Sequence, residues 1–184
     1  MTRGLGVGMV CSAIVASAFG GAVFGASTGD AKRGEYLVML GGCNDCHSPK
    51  TMTPNGPTLD ASRLLSGHRA NSTLPPVPSG VIGPTGWGAI TNHELTAWAG
   101  PWGISFAANL TPDKTGIGSW TEAQFIQTLR TGKHLGVGRP ILPPMPWQPI
   151  GQLTDADLKA IFAYLKSLKP VDNLVPQPLP PQKP

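Results

Sequence analysis

Apolar side chains recur at helical spacing in three parts of the chain, and each part has recognisable ends. The first predicted helix covers residues 30–40 and places Tyr36, Leu37 and Leu40 at helical spacing. A pair of glycines follows it directly, and glycine is the residue that most often ends a helix. The pattern therefore predicts a short N-terminal helix that stops at the start of the sequence GGCNDCH.

Two further helices are predicted to begin with a capping box. In this motif the threonine side chain accepts a hydrogen bond from the backbone three residues later, and the side chain of that later residue bonds to the backbone N–H of the threonine. Thr121 and Gln124 take these roles in the first, which is predicted to run to about Thr131 and to end at a glycine. Thr154 and Asp157 take them in the second, which is predicted to continue to the proline that ends it. One face of this last helix is apolar, with Leu158, Ile161, Phe162, Leu165 and Leu168.

A long segment, residues 48–120, separates the first helix from the second and is crowded with turn signals such as TPNGP, LPPVPSG and GPTGWG. A short helix is predicted within it at residues 92–98, and Asn109 and Thr111 are expected to fix a turn. The 184 residues include 24 glycines and 20 prolines, so we expect ordered loops that wrap around a ligand. The proline-rich end, residues 170–184, is predicted to be extended, either laid on the surface or disordered.

The N-terminus has the layout of a secretory signal peptide, with Arg3 followed by an uncharged stretch that ends in small residues. We therefore expect residues 1–26 to be a signal peptide and the protein to be exported. The alternative is an uncleaved anchor that would attach the protein to a membrane, because the stretch is about long enough to span a bilayer. The net charge is only +4 and the sequence contains no run of basic residues, so nucleic acid is not an expected partner.

Outside the leader, the chain has only two cysteines, Cys43 and Cys46, and His47 follows directly. A thioredoxin-type redox pair would need a βαβ pattern around the motif, and the sequence shows none there. A zinc site would need a second ligand pair at short spacing, and the remaining histidines are scattered. Covalent attachment of one haem c fits best, with thioethers from both cysteines and His47 as the proximal ligand of the iron.

The second axial position of that iron has several candidates. Met39 precedes the motif, and Met52 follows it too closely for the chain to pass round the edge of a porphyrin. Met145 is favoured because Pro143, Pro144 and Pro146 flank it and Trp147 stands beside it, which makes a stiff loop with few donors. The remaining alternatives are three histidines, His68, His93 and His134.

The order helix, CxxCH, long loop, helix, methionine loop and C-terminal helix resembles the class I c-type cytochromes. The stretches ANLTPDKTGIGSWTEAQF and LPPMPW resemble the haem domains of bacterial periplasmic cytochromes, including cytochrome subunits of membrane-associated dehydrogenases. The resemblance covers about residues 30–168 and implies a cytochrome c domain over residues 27–169. It implies an all-α fold whose first and last helices cross around the haem, here with a Gly- and Pro-rich loop insertion at residues 52–103.

The resemblance also implies roles for individual residues and a place in the cell. Cys43 and Cys46 would attach the haem, and His47 and Met145 would bind its iron. Trp102 and Arg139 are candidates to hydrogen-bond the haem propionates, and Tyr164 in the motif AYL would pack on the first helix. The expected location is the periplasm.

The implied function is transfer of single electrons by Fe(II)/Fe(III) cycling, with no catalytic residues. The partners would be a dehydrogenase and a downstream cytochrome or oxidase. One alternative is a haem enzyme or a sensor of gas or peroxide with an open distal site. Another is a non-catalytic cytochrome subunit held in a dehydrogenase complex.

Overall fold

The computed structural model describes residues 1–2 and 28–181 of the chain. The signal peptide expected at residues 1–26 therefore lies, except for its first two residues, outside the described part. The elements follow in the order α1 (Thr28–Leu40), α2 (Cys43–His47), β1 (Lys50–Thr53), β2 (Gly56–Leu59), a 3-10 helix (Ala61–Arg63), β3 (Ile90–Thr91), β4 (Ala97–Gly100), β5 (Gly103–Phe106), α3 (Glu122–Thr131), a second 3-10 helix (His134–Gly136), α4 (Trp147–Ile150) and α5 (Asp155–Ser167).

The predicted helix starts at Thr121 and Thr154 are confirmed. Thr121 accepts a hydrogen bond from the backbone of Gln124, and the Gln124 side chain accepts one from the Thr121 N–H, which completes a capping box. Thr154 caps α5 in the same way, but the Asp157 carboxylate does not return the bond and pairs instead with Arg33 of α1, at 2.5 Å. The second cap therefore also links the two terminal helices.

Helices α1 and α5 pack against each other at close range. A Cβ atom at Gly34 would overlap the Ala160 carbonyl of α5 and would also crowd Tyr164, so glycine allows this approach. Tyr164 lies against α1 as its motif predicted. The contact between the first and last helices, expected from the resemblance, is thus present.

The core lies where α1, α3 and α5 meet, under the loops that connect them. Leu158 and Leu165, from the predicted apolar face of α5, are 0% and 2% exposed. Each such side chain stabilises the fold by about 1.5–3 kcal/mol through removal of apolar surface from water. The whole buried cluster consists of Val38, Leu65, Ile117, Phe125, Leu129, Leu158, Ile161, Phe162 and Leu165.

The expectation of an all-α fold is correct only for this helical frame, because the insertion between α2 and α3 forms two small antiparallel sheets. Strands β1 and β2 make a hairpin, and the second sheet has the order β3-β4-β5. In β4 and β5, buried and partly buried residues alternate, which is the period of a strand with one covered face. The insertion is therefore a folded unit and not a bare loop.

The short helix predicted at residues 92–98 is wrong. The Asn92 side chain accepts hydrogen bonds from the backbone N–H groups of Thr96 and Ala97, and Leu95 has a positive φ of 60°. These side-chain bonds hold a tight turn in place of a helix and lead the chain into β4. The residues that suggested a helix thus shape a turn.

The proline-rich end is laid on the sheet as far as residue 181. The backbones of Ile104 in β5 and Leu179 exchange two hydrogen bonds of 2.9 Å, and Asn173 is 4% exposed.

None of the helices in the described part of the chain combines the length and apolar character needed to span a bilayer.

Candidate functional site

The two cysteines of the motif lie on the short helix α2, one turn apart. Gly42 precedes them with a left-handed backbone (φ 62°), which turns the chain from α1 into α2. Both thiols are half-buried and unpaired. Burial raises the pKa of each thiol, whereas an attacking thiol of a redox pair has a lowered pKa. The site therefore presents two protonated, neighbouring thiols on one face of a helix.

His47 is the last residue of this helix and is buried, and its side chain has a defined partner. Its Nδ1 lies 2.8 Å from the Ala108 carbonyl oxygen, which can only accept, so Nδ1 carries the proton and donates it. Burial is the larger influence on this imidazole and lowers its pKa. The result is a neutral ring with an unprotonated Nε2, which is the form that binds a metal ion.

The backbone around His47 is fixed by the segment that contains Leu65 and Gly67. The His47 carbonyl accepts a hydrogen bond of 2.7 Å from the Gly67 N–H, and Ser48 Oγ accepts one of 2.8 Å from Leu65 N–H. Gly67 has a φ of 77°, and a Cβ atom there would come within 2.5 Å of the Ala107 carbonyl oxygen. Glycine at this position therefore allows two stretches of chain to meet beside the histidine.

A turn directly after Ala108 holds that carbonyl in place. Asn109 Oδ1 accepts hydrogen bonds from the backbone N–H and the hydroxyl of Thr111, at 3.0 and 2.8 Å. Asn109 Nδ2 donates to Thr115 and to the Val171 carbonyl in the C-terminal segment. The prediction that Asn109 and Thr111 fix a turn is confirmed, and the same residues also bind the tail.

Asn173 in that C-terminal segment holds the stretch that follows Leu65 in place beside His47. Its Nδ2 donates to the carbonyls of Ser66 and His68, at 2.7 and 2.8 Å, and its Oδ1 accepts from Ala70 N–H at 3.0 Å. The sequence patterns singled out neither Ala108 nor Asn173. Ala108 acts through its backbone, so its residue type carries no signal, and Asn173 is a lone amide in a proline-rich stretch.

Met145 lies on the loop between α3 and α4. The loop starts at a hydrogen bond of 2.8 Å from Ile141 N–H to the Gly132 carbonyl, and Met145 itself accepts from Trp147 N–H at 2.9 Å. Met145 is partly buried and packs against the same core cluster as Cys43. The structure thus brings the methionine and the cysteine motif, about a hundred residues apart in the sequence, to one core.

The two predicted propionate donors have other partners in the structure. The Trp102 indole N–H donates to Ser105 Oγ at 3.2 Å, and the exposed Arg139 donates to the neighbouring Pro140 carbonyl at 3.3 Å. Their role toward a haem stays a prediction.

The alternative axial ligands are dispersed over the molecule. His68 is buried against Phe106, with Nδ1 at 2.9 Å from Thr96 Oγ1. His93 and Met52 are exposed, and His134 stands edge-on to Trp120. Within residues 1–2 and 28–181, no three His, Cys, Asp or Glu side chains are grouped so that they could hold a metal ion.

The donor set at α2 fits a covalently attached haem. Two free thiols and a neutral imidazole with Nε2 unprotonated are the groups that attach such a haem and bind one side of its iron, and a thioether on the same core is a known ligand for the other side. The hydrogen bond from His47 to Ala108 leaves Nε2 as the ring nitrogen that could bind an iron.

Several known proteins are similar to this chain, although no family model matches it. The fructose dehydrogenase cytochrome subunit of Gluconobacter japonicus is 31% identical over 147 residues, which are 79% of this chain and 23% of that protein. The gluconate 2-dehydrogenase cytochrome c subunit of Pantoea cypripedii is 30% identical over 155 residues, 80% of this chain and 26% of that protein. A diheme cytochrome c-type of Cereibacter sphaeroides is 26% identical over 152 residues, 82% of this chain and 40% of that protein.

The chain spans about a quarter of the length of the two dehydrogenase subunits, so only a part of each is matched. In this chain the matched part is most of the sequence. The resemblance to c-type cytochromes expected from the motifs is confirmed: this chain is a relative of the cytochrome c subunits of dehydrogenases.

Proposed function

We propose that the protein carries one haem c, attached through thioethers to Cys43 and Cys46, with His47 Nε2 and the Met145 sulfur as the two axial ligands of iron. The observation that carries this proposal is the hydrogen bond from His47 Nδ1 to the Ala108 carbonyl, because it leaves Nε2 as the free ligand of a buried, neutral imidazole. The haem would supply Fe(II)/Fe(III) chemistry and so take up and release one electron at a time.

The protein's own residues hold the ligands and keep water away. The Ala108 carbonyl and the Gly67 N–H fix the ring and the backbone of His47, so we expect its position to change little with the oxidation state of the iron. The apolar core cluster that Cys43 and Met145 contact supplies a site of low polarity. Electron transfer then needs little rearrangement, and no side chain has to act as an acid, a base or a nucleophile.

The role that fits this site is an electron carrier in the periplasm, between a dehydrogenase and a downstream cytochrome or oxidase. Two of the similar proteins are named as cytochrome subunits of fructose and gluconate dehydrogenases, which supports a dehydrogenase as the electron donor. The exposed side chains of Met39 and Leu40, 67% and 68% exposed, lie just before the motif and offer an apolar surface beside the attachment site. Redox partners usually bind through small, transient contacts of this kind.

A ferric spectrum of protein matured in a host that attaches haem tests the ligand assignment. We expect the weak near-infrared band of methionine bound to ferric iron, and we expect Met145→Ala to abolish it. Met52→Ala is the matched control, because Met52 is exposed on β1 and should leave the band unchanged. A wild-type protein without the band, whose ferrous form binds CO rapidly, would instead have the open distal site of an enzyme or a sensor.

A further inference from the structure

The methionine loop contacts the inserted sheet through one buried serine. Ser105 of β5 is 7% exposed, and its Oγ lies 2.6 Å from the carbonyl oxygen of Pro143, two residues before Met145. The loop is otherwise attached at its beginning, where Ile141 N–H bonds to Gly132. Within the part of the chain that the structure describes, this serine makes the only hydrogen bond between the inserted sheet and residues 142–146, and the Trp147 N–H of the adjoining helix α4 bonds to Met145.

The direction of the hydrogen bonds at Ser105 follows from the chemistry of its neighbours. An indole N–H can only donate, so Ser105 Oγ accepts from Trp102 Nε1 at 3.2 Å. The single hydroxyl proton must then go to a carbonyl, and the Pro143 oxygen at 2.6 Å is closer than the Trp98 oxygen at 3.4 Å. Trp102, Ser105 and Pro143 thus form a short chain of hydrogen bonds that leads from the sheet to the loop.

We propose that Ser105 is a positioning residue for the axial methionine and that Trp102 fixes the Ser105 hydroxyl in the orientation this requires. The inference rests on the proposed function, because it assumes that Met145 binds the iron. The prolines around Met145 restrict the φ angles of the loop but do not set its distance from the core. The hydrogen bond from Ser105 to Pro143 sets this distance. The inserted sheet thereby has a role in holding the ligand.

Removal of the hydroxyl should make the methionine easier to displace without loss of the haem, which Cys43 and Cys46 retain. The experiment measures the equilibrium binding of imidazole to the ferric protein, since imidazole must displace Met145. Ser105→Ala should tighten apparent imidazole binding by roughly three- to tenfold, the range that one net hydrogen bond allows. Ser105→Thr keeps a hydroxyl and should restore affinity toward the wild-type value, and Trp102→Phe should show a smaller change in the same direction as Ser105→Ala.

Ser167→Ala is the matched control, because Ser167 Oγ donates to the Tyr164 carbonyl at the exposed end of α5, away from the loop. It should bind imidazole as the wild type does. Equal imidazole binding by wild type and Ser105→Ala, with the near-infrared band intact in the wild type, would overturn this inference and leave the ligand assignment standing. Absence of that band from the wild type would overturn the ligand assignment, and this inference with it.

Discussion

The two sides of the candidate haem site are built differently. On the histidine side, stretches from three distant parts of the chain meet around His47 and are joined by hydrogen bonds of Ala108, Asn109 and Asn173. On the methionine side, Pro143, Pro144 and Pro146 are exposed, and few bonds attach the loop to the rest of the protein. The histidine is thus part of the fold itself, whereas the methionine is held by a stiff loop that is fastened at a few points.

This difference predicts where the site opens first. Local opening has the lowest free energy where buried contacts and hydrogen bonds are fewest. We therefore expect ligand exchange at Met145 under conditions in which His47 is still bound.

Loss of each ligand should have different consequences for the amount of haem protein. His47→Ala removes the ligand, leaves the Ala108 carbonyl without its donor and should lower the yield of haem-containing protein by roughly tenfold or more. Met145→Ala should give nearly the wild-type yield, because the frame of the site persists without it. Haem absorbance relative to total purified protein measures both. Equal yields from the two variants would contradict the contrast.

Loss of the Asn109 side chain should destabilise the protein by about 3 kcal/mol, because it removes several buried hydrogen bonds at once and leaves the Thr111 N–H unpaired. The comparison variant on the methionine side is Gln148→Ala in α4. It changes an exposed side chain and should lower the free energy of unfolding by no more than about 0.5 kcal/mol. Denaturant unfolding of the haem-containing proteins gives both values. The contrast fails if the two substitutions cost the same.

A pH-dependent effect is expected from His68, whose carbonyl is held by Asn173. Burial lowers the pKa of this imidazole below its ordinary value of 6.5. The unfolded chain therefore takes up a proton first as the pH falls, so the free energy of unfolding should decrease below about pH 6.5 and should be unaffected by this group at higher pH.

Denaturant unfolding between about pH 7 and about pH 5 measures the effect. The wild type and His93→Asn, which changes an exposed histidine, should both lose stability over this range. His68→Asn should lose less, although it is less stable at neutral pH. The same pH dependence in all three proteins would remove His68 as the cause.

A small effect is expected at the end of the methionine loop. Arg130 of α3 donates to the Gly151 carbonyl just after α4 and pairs with Asp155 at 2.6 Å, but the Asp155 side chain is 71% exposed. Arg130→Gln should therefore destabilise the protein by about 1 kcal/mol or less, and less in high salt. A loss as large as that of Asn109→Ala would show that the loop is bound more firmly than its contacts indicate.

The sequence predicted the parts of this molecule that depend on local chemistry. Thr121 and Thr154 begin helices because a hydroxyl at a cap satisfies a free N–H wherever the helix lies. The candidate haem ligands were chosen in the same way, from a motif and from the prolines around one methionine, and their role stays a prediction. These signals need no knowledge of the rest of the chain.

The parts that the sequence did not predict depend on distant partners. Ala108 acts through a carbonyl that any residue has, and Asn173 acts on stretches more than a hundred residues away. Strands β4 and β5 are four residues each, too short for their alternation to stand out among turn signals. The proposed role of Ser105 depends on its hydrogen bond to Pro143 in the loop of Met145, which is distant in the sequence. Such roles appear only when the tertiary structure is known.

The mass of a single tryptic peptide shows whether one haem is covalently bound at Cys43 and Cys46. Trypsin cleavage after Arg33 and Lys50 releases residues 34–50, which contain both cysteines and His47. For protein matured in a host that attaches haem, we predict that this peptide carries the mass of one haem after denaturation. The same peptide with two free thiols and no added mass would show that no haem is attached to these cysteines.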